Sequence, residues 1–128
     1  MATILVVDDE PTIRVLIRAS LEGAAHRIVD AADGEHGLAI ARRERPDLVL
    51  LDVALPRMSG LEVCARLKRD PATAAIPILL LSGLVQEPER RAAAEAGADG
   101  FIAKPFSPAA LVAQIEETLR HRVMVTPS

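Results

Sequence analysis

Short apolar runs, each ending abruptly in a polar or charged residue, alternate along this chain with segments whose apolar residues recur at helical spacing. Ile4-Leu5-Val6-Val7 ends in Asp8-Asp9, Leu48-Val49-Leu50-Leu51 in Asp52, Ile78-Leu79-Leu80-Leu81 in Ser82-Gly83, and Phe101-Ile102-Ala103 in Lys104-Pro105. Runs this short and this apolar read as strands buried on both faces. Strands alternating with helices imply a parallel sheet covered by helices. In such a sheet the strand C-termini share one edge, where ligands bind. Residues distant in sequence then converge there as three carboxylates, one hydroxyl and one ammonium. That set suits a divalent cation and a phosphoryl group.

The rest of the pattern fills in the elements. After the first strand, Ile4–Val7, Pro11 suits a helix start; Ile13, Leu16, Ile17 and Leu21 form its stripe and Gly23 its expected end. A weaker strand is expected over His26–Ala32, and Asp33-Gly34 leads into a helix over Glu35–Arg45, stopped by Pro46. Leu48–Leu51 is the third strand, followed by the loop Val53–Ser59 with Pro56, and by a helix over Gly60–Arg69 that buries Leu61, Cys64 and Leu67. Ile76–Leu81 is the fourth strand, Pro88–Ala96 an alanine-rich helix stopped by Gly97, and Gly100–Ala103 the fifth strand. Ser107-Pro108 caps a last helix carrying Leu111, Val112, Ile115 and Leu119. The sum is a doubly wound α/β sandwich of five strands and five helices, one domain over residues 1–122 with a short tail at 123–128.

Composition narrows the function classes. The 128 residues are half hydrophobic but include only two Phe, no Tyr and no Trp. The core is therefore aliphatic, and stacking platforms for nucleic-acid bases are missing. A net charge of −3 argues against a general phosphate-backbone binder. Cys64 is the single cysteine, so no internal disulfide forms and a reducing compartment is expected. No apolar segment approaches the roughly 20 residues of a membrane span. Ala2-Thr3 before the first strand is no signal peptide, and a cytoplasmic protein is expected.

Adjacent carboxylates at Asp8 and Asp9 repel each other, and Asp52 adds to the strain. A hard divalent cation would relieve it; magnesium takes oxygen ligands, usually one or two carboxylates beside a phosphate. The plain alternative is that Asp8-Asp9-Glu10 only favours the dipole of the helix starting at Pro11, and the pair alone does not choose. Asp52 directly follows four apolar residues, which places an ionised group at the sheet rim. A carboxylate there can attack phosphorus and form an acyl phosphate; a solvated loop aspartate is the competing reading. Lys104 could pair with Asp52 at rest and with a phosphoryl oxygen afterwards, although lysine before proline is a common surface dipeptide. Its bond to Pro105 is a candidate cis peptide. Ser82 offers a hydroxyl to a phosphoryl oxygen, or equally a cap to the following loop.

In this order and spacing, Val6-Val7-Asp8-Asp9-Glu10, the stretch Leu51–Gly60, Leu81-Ser82-Gly83 and the stretch Gly97–Phe106 resemble the receiver domain of two-component response regulators, over residues 3–122. The resemblance implies a flavodoxin-like (βα)5 sheet of strand order 2-1-3-4-5, of the stand-alone, chemotaxis-regulator kind. It implies that Asp52 accepts a phosphoryl group from the phosphohistidine of a histidine kinase or histidine phosphotransfer protein. Asp9 and Asp52 would bind Mg2+ (or Mn2+) directly, Asp8 through a water, and the Ala54 backbone carbonyl would be a further ligand. Lys104 and Ser82 would hold the phosphoryl oxygens, while Pro56, Gly60 and Pro105 would be structural. Movement of Ser82 toward the phosphate would let Phe101 turn inward. That would change the face of the fourth helix, fifth strand and last helix, which a downstream protein reads. Such a chain is a signalling module whose only chemistry is self-catalysed phosphotransfer and autodephosphorylation. It would act as a monomer or phosphorylation-dependent dimer, without direct nucleic-acid or membrane contact.

Some positions depart from the family's commonest pattern. Phe101 stands where tyrosine or another aromatic is frequent, Gly100 where an acid is frequent, and Ser59 where an acid or asparagine is usual. Ala54 and Leu84 are apolar where the family's side chains influence access of the hydrolytic water, which implies slow self-dephosphorylation. Three other readings stand beside the leading one: a receiver cut from a larger regulator with a DNA-binding or enzymatic output domain, a magnesium-dependent aspartyl-phosphate phosphohydrolase, and a degenerate receiver used only for dimerisation. The hydrolase usually needs a second acid where this chain has Ala54, and a capping insertion absent here. The full acidic set with Lys104 argues against the degenerate form. Arg42-Arg43-Glu44-Arg45 and Glu89-Arg90-Arg91 read as solvated helix faces, and Cys64 as a core residue.

Overall fold

Each strand is followed by a segment that returns the chain to the same end of the sheet, so every strand pairing is parallel. The structure is a computed structural model that describes residues 2–84 and 86–125. Its elements are β1 (Thr3–Val7), α1 (Pro11–Ser20), a 3-10 turn (Glu22–Ala24), β2 (Arg27–Ala31), α2 (Gly34–Glu44), β3 (Leu48–Asp52), α3 (Gly60–Arg69), β4 (Ile78–Ser82), α4 (Glu87–Glu95), β5 (Gly100–Ala103) and α5 (Pro108–Val125). The strands lie in the order β2-β1-β3-β4-β5, as expected.

Strand alternation builds two cores, one on each side of the sheet. Leu5, Val7, Val49, Leu51, Ile78 and Leu80 face α2, α3 and α4, whose Leu38, Val63, Cys64 and Ala93 complete that layer. Ile4, Val6, Leu48, Leu50, Leu79 and Leu81 face α1 and α5 through Ile17, Leu111 and Ile115. The central strands β3 and β4 are buried at every position, which explains their uninterrupted apolar runs. Cys64 is fully buried in the first layer, and burial pushes its thiol up to about 11.

Local chemistry sets the helix starts. Pro11 occupies the first turn of α1, Asp33 Oδ1 accepts from the His36 N–H at 2.8 Å, Ser59 Oγ from the Glu62 N–H at 3.3 Å, and Ser107 Oγ from the Ala110 N–H at 3.0 Å. Gly97, at φ +90°, takes the left-handed turn after α4.

Several boundaries differ from the sequence reading. Gly23 does not end α1: the helix stops at Ser20, a 3-10 turn carries the chain over Gly23, and Ala25 takes the left-handed conformation at φ 59°. Leu16 lies outside the buried stripe at 39% exposure, whereas Ile17 and Leu21 are buried under α1. β2 is trimmed to Arg27–Ala31, β4 starts at Ile78, α2 runs one residue earlier, and α4 spans Glu87–Glu95. α5 continues to Val125, past residue 122; the expected tail residues 126–128 lie outside the described residues. Among the described residues no helix is long and apolar enough to cross a membrane.

One glycine fixes the edge where β3 ends. The Gly60 N–H donates to the Val53 carbonyl at 2.8 Å, folding the loop back on itself. A Cβ at Gly60 would collide with the backbone carbonyl of Asp52 and lie 2.8 Å from Val53 Cα. Backbone cannot step aside as a flexible side chain can. Gly60→Ala should therefore cost about 1–3 kcal/mol, a fall in Tm of roughly 3–15 °C. Gly23→Ala, where an added Cβ meets nothing within 4 Å, should melt almost as the parent does; thermal melts of the two variants check the contrast.

Candidate functional site

Register decides which charges meet. Val7 of β1 pairs with Leu51 of β3, so Asp8 and Asp52 are the next residues along two adjacent strands. This is also where the strand order reverses, β1 leading outward to β2 and β3 to β4. Such a switch point opens a crevice at the strand C-termini. Lys104 reaches it from the far edge: its N–H donates to the Ser82 carbonyl at 2.8 Å, extending the β4–β5 pairing by one step.

The side chains close on one another. Lys104 Nζ lies 3.1 Å from Asp8 Oδ2, 3.2 Å from Asp52 Oδ2 and 3.9 Å from Glu10 Oε1. The other oxygens are held by backbone: Asp8 Oδ1 accepts from the Glu10 N–H at 2.9 Å, and Asp52 Oδ1 from the Ala54 N–H at 3.2 Å. Arg14, from the first turns of α1, donates to the Asp8 carbonyl at 2.6 Å. Asp8 is fully buried and Asp52 nearly so, at 0% and 3% exposure.

Two carboxylates in so little water cannot both be comfortable. Burial, then the nearby Asp8 charge, raise the Asp52 carboxyl above its ordinary value, and Lys104 and the Ala54 N–H only partly offset them. For Lys104, burial opposes the charge, but Asp52 and Asp8 outweigh it and hold the ammonium above the ordinary lysine value. Both shifts describe one strained cluster with a single cation shared between anions.

The expected site residues fall into two groups. Asp8, Asp52 and Lys104 are brought together. Asp9 is exposed and is not in the carboxylate set; one oxygen each from Asp8, Glu10 and Asp52 lie within 4.8 Å of one another instead. Ser82 Oγ is turned to its own loop, donating to the Leu84 carbonyl at 3.1 Å and accepting from the Leu84 N–H at 3.0 Å. Phe101 is half-buried. The Lys104-Pro105 peptide is cis. Pro56 accepts from the Met58 N–H at 2.7 Å, inside the loop that carries Arg57 at φ 65°. Sequence reasoning gave Glu10 no role beyond the dipole of the helix at Pro11, and Arg14 none. The signal was available, because Pro11 as first helical residue makes Glu10 the N-cap and sets Arg14 one turn on, at the same strand end.

These oxygens fit a small hard cation: they are carboxylates, they converge, and a lysine already supplies the positive charge they require. Residues 4–116 match the family model described as response regulator receiver domain. The chain belongs to this family. The phosphate regulon transcriptional regulatory protein PhoB of Pseudomonas aeruginosa is 44% identical over 118 residues, 92% of this chain and 52% of that protein. A CheY-like response regulator receiver domain protein of Methanospirillum hungatei superposes with a TM-score of 0.92 at 28% identity, covering 98% of this chain and 99% of that one. Chemotaxis protein CheY4 of Vibrio cholerae gives 0.87 at 32% identity, covering 91% and 98%. The receiver domain spans about half the length of the curated relatives it matches.

The raised Asp52 carboxyl has a definite sign. The folded receiver binds the proton more tightly than the unfolded chain, so stability falls as pH climbs from the ordinary aspartate range through the raised value, and the loss persists at neutral pH. Without divalent cation, Asp52→Asn should raise Tm by a few degrees at pH 7, of the order of 1 kcal/mol. The gain should shrink as the buffer is taken below the ordinary aspartate range. Lys104→Ala leaves two buried carboxylates without their cation and should cost about 1–3 kcal/mol; melts across pH measure both.

Proposed function

We propose that this receiver domain takes a phosphoryl group onto Asp52 from the phosphohistidine of a histidine kinase or phosphotransfer protein, and passes the change to a protein partner through the α4-β5-α5 face. The observation that carries this reading is Lys104 bridging the buried Asp8 and Asp52 carboxylates at the sheet edge. An Asp52 oxygen attacks phosphorus; the new P–O bond forms as the P–N bond breaks, and the imidazole nitrogen keeps the electron pair. Asp8, Asp52, Glu10 and Asp9, with the Ala54 carbonyl, are the proposed ligand set for Mg2+ or Mn2+, and the exposed Asp9 has to turn inward to join it. Such an ion would supply the charge that lets a carboxylate approach a phosphoryl group. Lys104 then exchanges a carboxylate for a phosphoryl oxygen, and the phosphoryl dianion leaves the site more dependent on Lys104 and the cation than before.

Ser82 has further to go. Its hydroxyl must give up both bonds to Leu84 before it can reach a phosphoryl oxygen, so the loop after β4 moves with it. Phe101 shares a sheet face with Ser82, since Leu80 pairs with Phe101 and Ser82 with Ala103. Vacating the space by Ser82 therefore gives the ring somewhere to turn, and the new dianion shifts the population toward that state. The protein is a signalling module of the cytoplasm, monomeric or dimerising on phosphorylation. A second reading, that this chain is the receiver portion of a longer regulator, has one observation in its support: the curated relatives it matches are about twice as long.

Incubation with acetyl phosphate and Mg2+ should add the mass of one phosphoryl group, and Asp52→Asn should abolish the gain. Undiminished labelling of that variant removes Asp52 as the acceptor. The apolar Ala54 and Leu84 offer nothing to orient an attacking water. The acyl phosphate should therefore persist for minutes or longer once donor is removed, and a decay within seconds contradicts their role.

A further inference from the structure

We propose that Arg90 is a positioning residue for Phe101, its guanidinium resting on the ring from α4 and holding it in the half-exposed orientation. The inference rests on the reading that the orientation of Phe101 follows the state of Asp52. The guanidinium carbon lies 5.9 Å from the ring centroid, within reach of the attraction between a cation and an aromatic face.

The surroundings explain why this contact matters. Phe101 sits on β5, the edge strand, so no further strand packs beside it. Across from it, a notch of about 330 Å3 is lined from α4 by Arg90 and, one turn on, by Ala93 and Ala94, and Phe101 and Gln114 line it too. Methyl groups grip a ring weakly, and the arginine supplies from α4 the large side chain that the alanines do not. Arg90 is exposed, and a contact of this kind at an exposed site shifts a two-state ratio about two- to fivefold. It acts as a bias on the Phe101 equilibrium and leaves the chemistry at Asp52 untouched.

The test compares the full chain with Arg90→Leu and Arg90→Lys, all without phosphodonor. With two Phe and neither Tyr nor Trp, the Phe101 ring signals are readily separated by NMR. A soluble paramagnetic relaxation agent reports how exposed that ring is. Arg90→Leu should move the outward-to-inward ratio about two- to fivefold toward inward, and Arg90→Lys, which keeps the cation, should recover most of the loss. A ring equally exposed in the parent and Arg90→Leu overturns the proposal, as does an equal change in both variants. Acetyl phosphate labelling of the parent bears on Asp52 alone: without a mass gain the acceptor reading fails, while the phosphate-free ring comparison still decides the role of Arg90.

Discussion

The arrangement depends on one unfavourable contact: two carboxylates, Asp8 and Asp52, buried side by side at the end of neighbouring strands. Left to themselves they would repel and drag water into the sheet edge. Lys104 prevents that by touching both, at 3.1 and 3.2 Å. The solution is conditional, because one monovalent cation faces two buried anions, with Glu10 close by. Burial first, and the Asp8 charge second, raise the Asp52 carboxyl in spite of Lys104. A site in this condition has a standing affinity for further positive charge.

The fold exists, in this sense, to keep that contact from relaxing. Parallel register fixes Asp8 opposite the end of β3, Gly60 locks the backbone of Asp52 against the returning loop, and Arg14 holds the Asp8 carbonyl from α1. None of these restraints can move independently of the two cores beneath them. Ser82 and Phe101 are held more lightly, one by a two-residue loop contact and the other by an exposed arginine. On the proposed reading, a rigid acceptor and a loosely held readout are what a switch requires: charge would change at the fixed end and the movable end would respond.

Much of this was legible in the sequence, for identifiable reasons. The apolar runs at Ile78–Leu81 and Leu48–Leu51 could only be strands buried on both faces, and their polar ends had to share an edge. With the ends of the first and fifth strands, that placed Asp8, Asp52 and Lys104 on one edge, and the strand order that sets Asp8 beside Asp52 came from the family resemblance. What was not legible is what side chains decide locally. Asp9 and Glu10 are equally acidic, and only the course of the chain into Pro11 sets Glu10 within 4.8 Å of the others while Asp9 faces solvent. Ser82 fits a phosphoryl donor and a loop cap equally well on paper, and here its hydroxyl is engaged with Leu84. Gly23 looked like a helix stop because glycine so often is one. Yet α1 stops before it, buried Leu21 leads into a 3-10 turn, and Ala25 supplies the left-handed residue.

The most direct test of the central contact is a Mg2+ titration followed by NMR of the side chains that make it, the carboxyl carbons of Asp8, Asp9, Glu10 and Asp52 and the Lys104 ammonium. If a lysine is standing in for a missing positive charge, the Asp8 and Asp52 carboxyl signals move together as the ion binds. The Lys104 signal moves with them at the same midpoint, and the carboxyl of Asp9 or Glu10 that joins the site is identified by its own shift. Saturating Mg2+ that leaves Asp52 and Lys104 unmoved would contradict the idea that this cluster is built around unmet charge.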